Sequence, residues 1–258
     1  MHHYLFSEFS PDEKHNLWLL LQNVFHLSEA DFTTFYKDIK RDFSVPGWDH
    51  KQWWTREAFS SSAPSFQKQY QQSPVIGVDL PCTFELDNNV SQKPTIAIIA
   101  QDALRKVDQR VEAIEVGTPF GLEHIACRTQ LWTKLYMQLV DVLVQLGYRV
   151  YLTDLIKLWV SDGTTKGLPL PKVDRGRFTR LVSEEMATFQ VEAVLTWGKP
   201  AAQSVRNLQL NTRHLSFPHP SGANNGYWAK QMELPATWAN KLAYFQARVQ
   251  QELKVATD

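Results

Sequence analysis

The sequence predicts an α/β fold, three layers (α/β/α) in which a mostly parallel central sheet is covered by helices on both faces. Three observations predict it. From Thr95 onward, short apolar or β-branched runs alternate with longer segments whose apolar residues recur at helical spacing. Several of the short runs end in polar residues, as parallel strands do when the loops at their carboxyl ends carry function. A length of 258 residues is long for one domain and short for two, which suits one sizeable core with an appendage.

In chain order, Ser10, Pro11 and Glu13 read as the N-cap, first helical position and N3 of a helix. Leu17, Leu20, Leu21, Val24, Phe25 and Leu27 give the apolar face of a helical region reaching Lys40. Val45 to Pro74 is loop-like, with Pro46, Gly47, a run of three serines and Pro64, and it carries Trp48, Trp53, Trp54, Phe59 and Phe66. Aromatics in such a segment either pin it to a core or stack nucleobases, and pinning is the commoner use. Ile96 to Ala100 reads as a strand, and the stripe Leu131, Leu135, Leu139, Val142, Leu143, Leu146 as a helix stopping at Gly147. Then follow a strand at Val150–Thr153, a helix at Arg175–Phe189 and a strand at Ala193–Thr196. A helix opened by Pro200, a strand at His214–Phe217 and a helix from Thr237 to Leu253 complete the pattern. Residues 1–92 are therefore expected to form a helical, aromatic-rich extension and residues 93–258 the α/β domain, with no internal repeat.

Composition narrows the classes. Hydrophobic content of 43% with 21% charged residues is that of a globular chain rather than a disordered one. No apolar run approaches the roughly 20 residues of a membrane span, and Met1 to Ser10 lacks the pattern of a secretory leader, so a soluble cytoplasmic protein is expected. Two cysteines, Cys82 and Cys127, are too few for a disulfide framework or an all-cysteine zinc site. Histidines are scattered apart from His2-His3, so no metal site is expected. The 27 basic residues balance 27 acidic ones, which argues against holding nucleic acid by bulk charge. Between Thr95 and Lys230, however, 16 basic residues face 12 acidic ones, a surplus compatible with a phosphate-facing surface.

The polar residues at the strand ends are the strongest functional clue. The first strand runs into Gln101 and Asp102, the second into Asp154, and the fourth into His219, Pro220 and Ser221. Alone, each has a plain structural use: an Asp caps a helix and His-Pro-Ser makes a loop. In a parallel sheet all three ends lie on one edge, where residues distant in sequence converge.

In this ordered set the sequence resembles the uracil-DNA glycosylase superfamily. Ile96-Ala97-Ile98-Ile99-Ala100-Gln101-Asp102 is similar to that family's strand ending in Gly-Gln-Asp-Pro, and His219-Pro220-Ser221 matches its His-Pro-Ser loop. Gly117-Thr118-Pro119-Phe120 resembles the loop carrying its base-stacking Phe, and Val150 to Asp154 the strand ending in its base-reading Asn. Ala193 to Ala201 resembles its strand-Gly-Lys-Pro-Ala element. The resemblance covers Thr95 to Trp228 and implies a DNA glycosylase-like hydrolase acting on a flipped, damaged base such as uracil. By resemblance, Asp102 positions the attacking water and His219 stabilises the departing base. Gln101, Phe120, Asp154, Ser221 and Asn224 line the substrate side, and no metal or redox cofactor is needed. The implied partner is single- or double-stranded DNA carrying a damaged base, and the protein is expected to be a monomer.

The departures matter as much. Ala100 replaces the family's glycine, and Ala103 and Leu104 replace the Pro and aromatic residue that follow the Asp. At the base-reading position stands Asp154; an ionised carboxylate offers only acceptors and would repel the O4 carbonyl of uracil. A one-residue shift would put Thr153 there instead, and Asp154 could equally cap the next segment or pair with Lys157. Gly222 to Trp228 lacks the family's Leu or Arg wedge; Tyr227 or Trp228 either fills that role or packs. Two other readings stay open: a catalytically silent relative that binds nucleic acid or a nucleobase, and another α/β enzyme of nucleoside chemistry. No Gly-rich loop follows the first strand, which counts against nucleoside triphosphates and dinucleotides.

Overall fold

The computed structural model describes residues 4–45, 52–55, 58–59, 64–73, 75–88, 93–104, 113–129, 134–161 and 167–253. After a short strand β1 (Tyr4–Phe6), helix α1 (Pro11–Leu21) opens with the expected capping box: Ser10 Oγ accepts from Glu13 N–H at 3.2 Å, and the Glu13 carboxylate accepts from Ser10 N–H at 2.8 Å. The helical region is broken before Lys40. Ser28 restarts it as a second N-cap, accepting from Asp31 N–H at 3.1 Å, and α2 (Glu29–Ser44) buries Phe32, Phe35, Tyr36 and Ile39.

The aromatic segment that follows is pinned to the core. Strand β2 (Gln52–Thr55) brings the Trp54 ring to 5.9 Å from Phe25, and Phe59 bridges the backbone of Phe25. Helix α3 (Pro64–Gln72) buries Phe66 and Tyr70 against Phe59. These rings are packing residues, not an open stacking platform. Pro46, Gly47, Trp48 and the serine run lie outside the described residues, as do His2, His3 and Leu131.

The chain then builds two sheets from β3 (Val75–Asp79), β4 (Cys82–Leu86), β5 (Thr95–Asp102), β6 (Ala113–Gly117), β7 (Arg149–Ile156) and β8 (Leu158–Ser161), with the short helix α4 (Ile125–Thr129) and α5 (Lys134–Gln145) between β6 and β7. Next come α6 (Lys172–Thr188), β9 (Ala193–Trp197), α7 (Lys199–Asn207), β10 (Arg213–Phe217), α8 (Asn225–Met232) and α9 (Trp238–Leu253). The larger sheet has the order β1-β4-β7-β5-β9-β10. Its centre, β7-β5-β9-β10, is parallel; β7, β5 and β9 are buried on both faces along most of their length, while the edge strand β10 alternates buried and part-exposed residues. Strands β4 and β1 are antiparallel additions, so the sheet is mixed rather than uniformly parallel. The smaller sheet, β2-β6-β3-β8, is also mixed, with only β3 and β6 parallel.

The small sheet was not anticipated: its strands have four or five residues, and β2 falls inside the stretch that reads as a loop. The first ninety residues are likewise not simply helical: they supply β1 and β4 to the large sheet and β2 and β3 to the small one. Arg149, which opens β7, ties this part down by donating to the Glu8 carbonyl at 2.7 Å and pairing with Glu13.

Strand alternation distributes the helices. Tyr151 and Thr153 of β7 contact α6 and its end, with the Tyr151 ring 4.4 Å from Phe189 and Thr153 bonded to Glu185. Trp197 of β9 contacts α5 through Tyr136 at 5.4 Å, and Phe217 of β10 contacts α9 through Phe245 at 4.7 Å. Among the described residues no helix is long and apolar enough to cross a membrane.

Candidate functional site

The parallel centre of the large sheet sets the site. Asp102 ends β5, Asp154 lies near the end of β7, and His219 follows β10 by two residues, so all three stand at the carboxyl edge. The register pairs Ala100 with Asp154 and Asp102 with Ile156, and by alternation Asp102, Asp154 and Trp197 share one face. Only β9 separates β5 from β10, so the Asp102 and His219 ends are about two strand spacings, roughly 10 Å, apart. Gln101 is exposed and alternates to the other face, away from these side chains.

The register also settles which residue of β7 joins Asp102. Thr153 points to the opposite face, where its Oγ1 accepts from Lys157 Nζ at 2.8 Å. Lys157 is fully buried; its ammonium also donates to the Asp154 carbonyl and to Glu185, each at 3.0 Å. Lys157 therefore neutralises Glu185 and is bonded to the backbone, not the carboxylate, of Asp154. Nor does Asp154 cap a helix, since β7 continues to Ile156 and leads into β8.

A third carboxylate, Asp79, faces this group. The backbone N–H of Asp79 donates to the Lys157 carbonyl at 3.1 Å, which fixes the end of β3 against the β7–β8 junction. Burial, and then the adjacent Asp79 charge and a hydrogen bond with it, push the Asp154 carboxyl well above the usual carboxylate range. Asp102 is pushed up by burial first and by Asp79 second. The expectation of an ionised Asp154 is thus opposed by its surroundings. Among the described residues no group of three or more His, Cys, Asp or Glu side chains is placed to hold a metal ion.

The His-Pro-Ser loop is held by a chain of polar contacts. Asn224 Nδ2 donates to Ser221 Oγ at 2.9 Å, Ser221 Oγ lies 3.0 Å from His219 Nδ1, and Ser221 N–H donates to the same nitrogen at 3.3 Å. With Nδ1 an acceptor, the proton of the neutral ring resides on Nε2. Burial lowers the pKa of His219, which favours that neutral form. Trp228 is buried and its indole N–H donates to the His219 carbonyl at 3.0 Å, while Lys241 donates to Asn225 at 2.7 Å beneath the loop. Trp228 is consequently a brace and not a wedge. Tyr227, by contrast, is 68% exposed.

Phe120 completes the edge. It sits in a one-turn 3₁₀ segment, Pro119–Gly121, at φ 62° and ψ 9°, a left-handed conformation costly for a bulky residue. Its ring stacks on Tyr136 at 4.1 Å and lies 5.3 Å from Trp197 and 6.2 Å from His219. The turn is held by buried Glu123, which accepts from both the N–H and the hydroxyl of Thr118. Arg128 donates to the carbonyls of Leu122, Glu123 and Phe43, locking the segment to α2.

The structure thus brings Phe120, His219, Ser221 and Asn224 into one connected group, and Asp102 and Asp154 into another on the same sheet edge. Gln101 is left outside both. Sequence reasoning missed Tyr136, Trp197 and Asp79. The signal for Asp79 was present: Val75-Ile76-Gly77-Val78-Asp79 is an apolar run ending in an acid, the same pattern that singled out Asp102. No protein-family model matches this sequence, and no curated protein matches it at a significant level.

Proposed function

We propose that this protein is a DNA glycosylase-like hydrolase of the uracil-DNA glycosylase type, with helices on both faces of the parallel centre supporting the three-layer arrangement. The observation that carries the reading is the setting of His219: a partly buried imidazole, its pKa lowered by desolvation, whose Nδ1 accepts from Ser221 N–H so that the proton of the neutral ring sits on Nε2, 3.5 Å from the Tyr136 hydroxyl and at the same sheet edge as Asp102. Cleaving an N-glycosidic bond by hydrolysis puts negative charge on the departing base and cationic character on the sugar. The His219 Nε2–H donates to the oxygen where the base charge develops. The Asp102 carboxylate holds and polarises the water that adds to the sugar carbon, and its charge favours the cationic sugar. Phe120 offers an aromatic surface for a base flipped from its stack, and exposed Tyr227 stands where a residue could occupy the vacated position. The natural substrate on this reading is DNA with a damaged base, met by a monomer in the cytoplasm.

One observation favours the silent-binder alternative: the Phe120 ring already stacks on Tyr136. Incubation of purified protein with labelled oligonucleotides carrying uracil, hypoxanthine, xanthine or mismatched thymine separates the two. Abasic sites lost in Asp102→Asn support the enzyme; binding without abasic sites supports the binder.

A further inference from the structure

The buried stripe of α9 is Lys241, Phe245 and Val249, so a lysine stands where the helical pattern calls for an apolar side chain. Lys241 is 4% exposed and lies in the first turn of α9, where the helix dipole disfavours a cation. Burial, pattern and dipole all oppose a lysine here, and an unbranched apolar residue such as methionine would meet none of these costs. The ammonium instead bonds the loop that follows β10. Its Nζ donates to Asn225 Oδ1 at 2.7 Å and, at the longer distance of 3.4 Å, to the Pro220 carbonyl. Three consecutive carbonyls of that loop are held by donors: His219 O by the Trp228 indole at 3.0 Å, Pro220 O by Lys241, and Ser221 O by the Asn224 N–H at 3.0 Å. The Lys241 ammonium also lies 5.7 Å from the centre of the Trp228 ring, so α8 and α9 present the two side-chain donors together. The Pro220 carbonyl and the Ser221 N–H belong to one planar trans peptide and point in opposite directions. Lys241 therefore holds the oxygen end of the peptide whose N–H end donates to His219 Nδ1 at 3.3 Å.

We propose that Lys241 is a positioning residue for His219: by holding the Pro220 carbonyl it orients and polarises the peptide whose other end, the Ser221 N–H, fixes the imidazole with its proton on Nε2. This rests on the glycosylase reading, in which Nε2–H meets the departing base. Hydrogen bonds linked through one peptide strengthen one another, and a charged donor at the oxygen does so more than a neutral one. Proline has no N–H, so the carbonyl is the one backbone group of Pro220 by which the loop can be held. Asn225 keeps the ammonium in place through the shorter bond, and α9 supplies the stiffness. Stability is thereby given up for geometry at the site, the usual direction of that trade.

The test compares the full chain with its Lys241→Met, Asn225→Ala, His219→Ala and Lys241→Met/His219→Ala variants. Single-turnover uracil excision, affinity for the same single-stranded oligonucleotide, melting temperature and nitrogen NMR of the His219 ring are measured, the ring signals being assigned by their loss in His219→Ala. Lys241→Met is expected to excise roughly tenfold more slowly at unchanged affinity, and to show the second His219 tautomer populated. Its melting temperature should equal or exceed that of wild type, because the cost of burying a cation is gone. In the His219→Ala background the same substitution should not slow excision further. Equal slowing with or without His219 overturns the proposal. So does an unaltered His219 spectrum in Lys241→Met, and a lowered melting temperature beside that spectrum assigns the lysine to the fold alone. Asn225 is exposed, and Asn225→Ala loosens the ammonium without touching the core. Should Lys241→Met fail to fold, a second tautomer in Asn225→Ala supports the proposal and a wild-type spectrum overturns it. Should no form make abasic sites, the glycosylase reading falls by itself, and the His219 spectrum still decides the role of Lys241.

Discussion

His219 Nδ1 accepts a hydrogen bond from the backbone N–H of Ser221 at 3.3 Å and lies 3.0 Å from its hydroxyl, while that hydroxyl accepts from Asn224. The loop that carries the imidazole thus dictates which nitrogen bears its proton. Replacing Ser221 by Ala keeps the backbone donor and removes the hydroxyl, which weakens that preference without emptying a core position. The expected result is a drop in single-turnover excision of roughly tenfold, the scale of one hydrogen bond near 1.4 kcal/mol. Nitrogen NMR of the His219 ring should show the second tautomer populated; an unaltered spectrum with an unaltered rate would sink the argument.

Asp102→Asn and His219→Ala are expected to act on the reaction rather than on binding. Both residues are assigned to charges that develop in the transition state, where removing one such stabilising group costs on the order of a hundredfold. Turnover should fall by at least that much in each variant, while affinity for the uracil-containing oligonucleotide changes little. Fluorescence anisotropy and rate measurements on the same preparations make the comparison.

Lys157 and Glu185 form a pair with no solvent exposure, 3.0 Å apart. Lys157→Met leaves the Glu185 carboxylate buried without its cation, and losses on the order of 3 to 5 kcal/mol are typical of such half-broken pairs. The double variant Lys157→Met/Glu185→Leu should recover most of that loss. Urea unfolding of the three proteins tests both statements, and a double variant no better than the single one would show that Thr153 and the Asp154 carbonyl depend on the charge.

The acidic group gives stability a pH dependence of known sign. Asp154, Asp102 and Glu185 all have folded-state pKa values raised above those of the unfolded chain. The fold then holds more protons than the unfolded chain, so their contribution is complete below the unfolded carboxylate pKa and is lost as pH rises through the folded values. Asp154→Asn should flatten this decline, so that its melting temperature, compared with wild type, improves steadily from mildly acidic to alkaline pH. A constant offset between the two proteins across that range would contradict it.

Much of the large sheet was legible in the sequence because β5 and β7 are eight-residue, mostly buried strands and the helix between them has a clear stop. Gly147, with φ 91°, ends α5 as glycine at that position should. The residues His219, Ser221 and Asn224 were legible as a local motif, since their hydrogen bonds span at most three residues. Asp79 could be read as the acid ending an apolar run, but its place beside the end of β7 could not, because it depends on β3 of one sheet meeting β7 of another. The outward turn of the Gln101 side chain follows from its position alone, since two adjacent strand residues point to opposite faces. The state of Asp154 was out of reach because a carboxylate reads as charged until its neighbours are known.

The order in which the chain emerges during synthesis is at odds with the order of its sheet. Strands β1 and β4 are made first, yet β4 finds its partner only when β7 arrives, with Cys82 opposite Leu152. Until then β4 and β1 have no neighbour in the parallel centre, and closing that distance is the kind of non-local pairing that slows folding. The reverse also holds. A chain shortened to begin near residue 93 would still make β7, β5, β9 and β10, but would leave the outer side of β7 as a bare, apolar edge ready to recruit strands from other molecules.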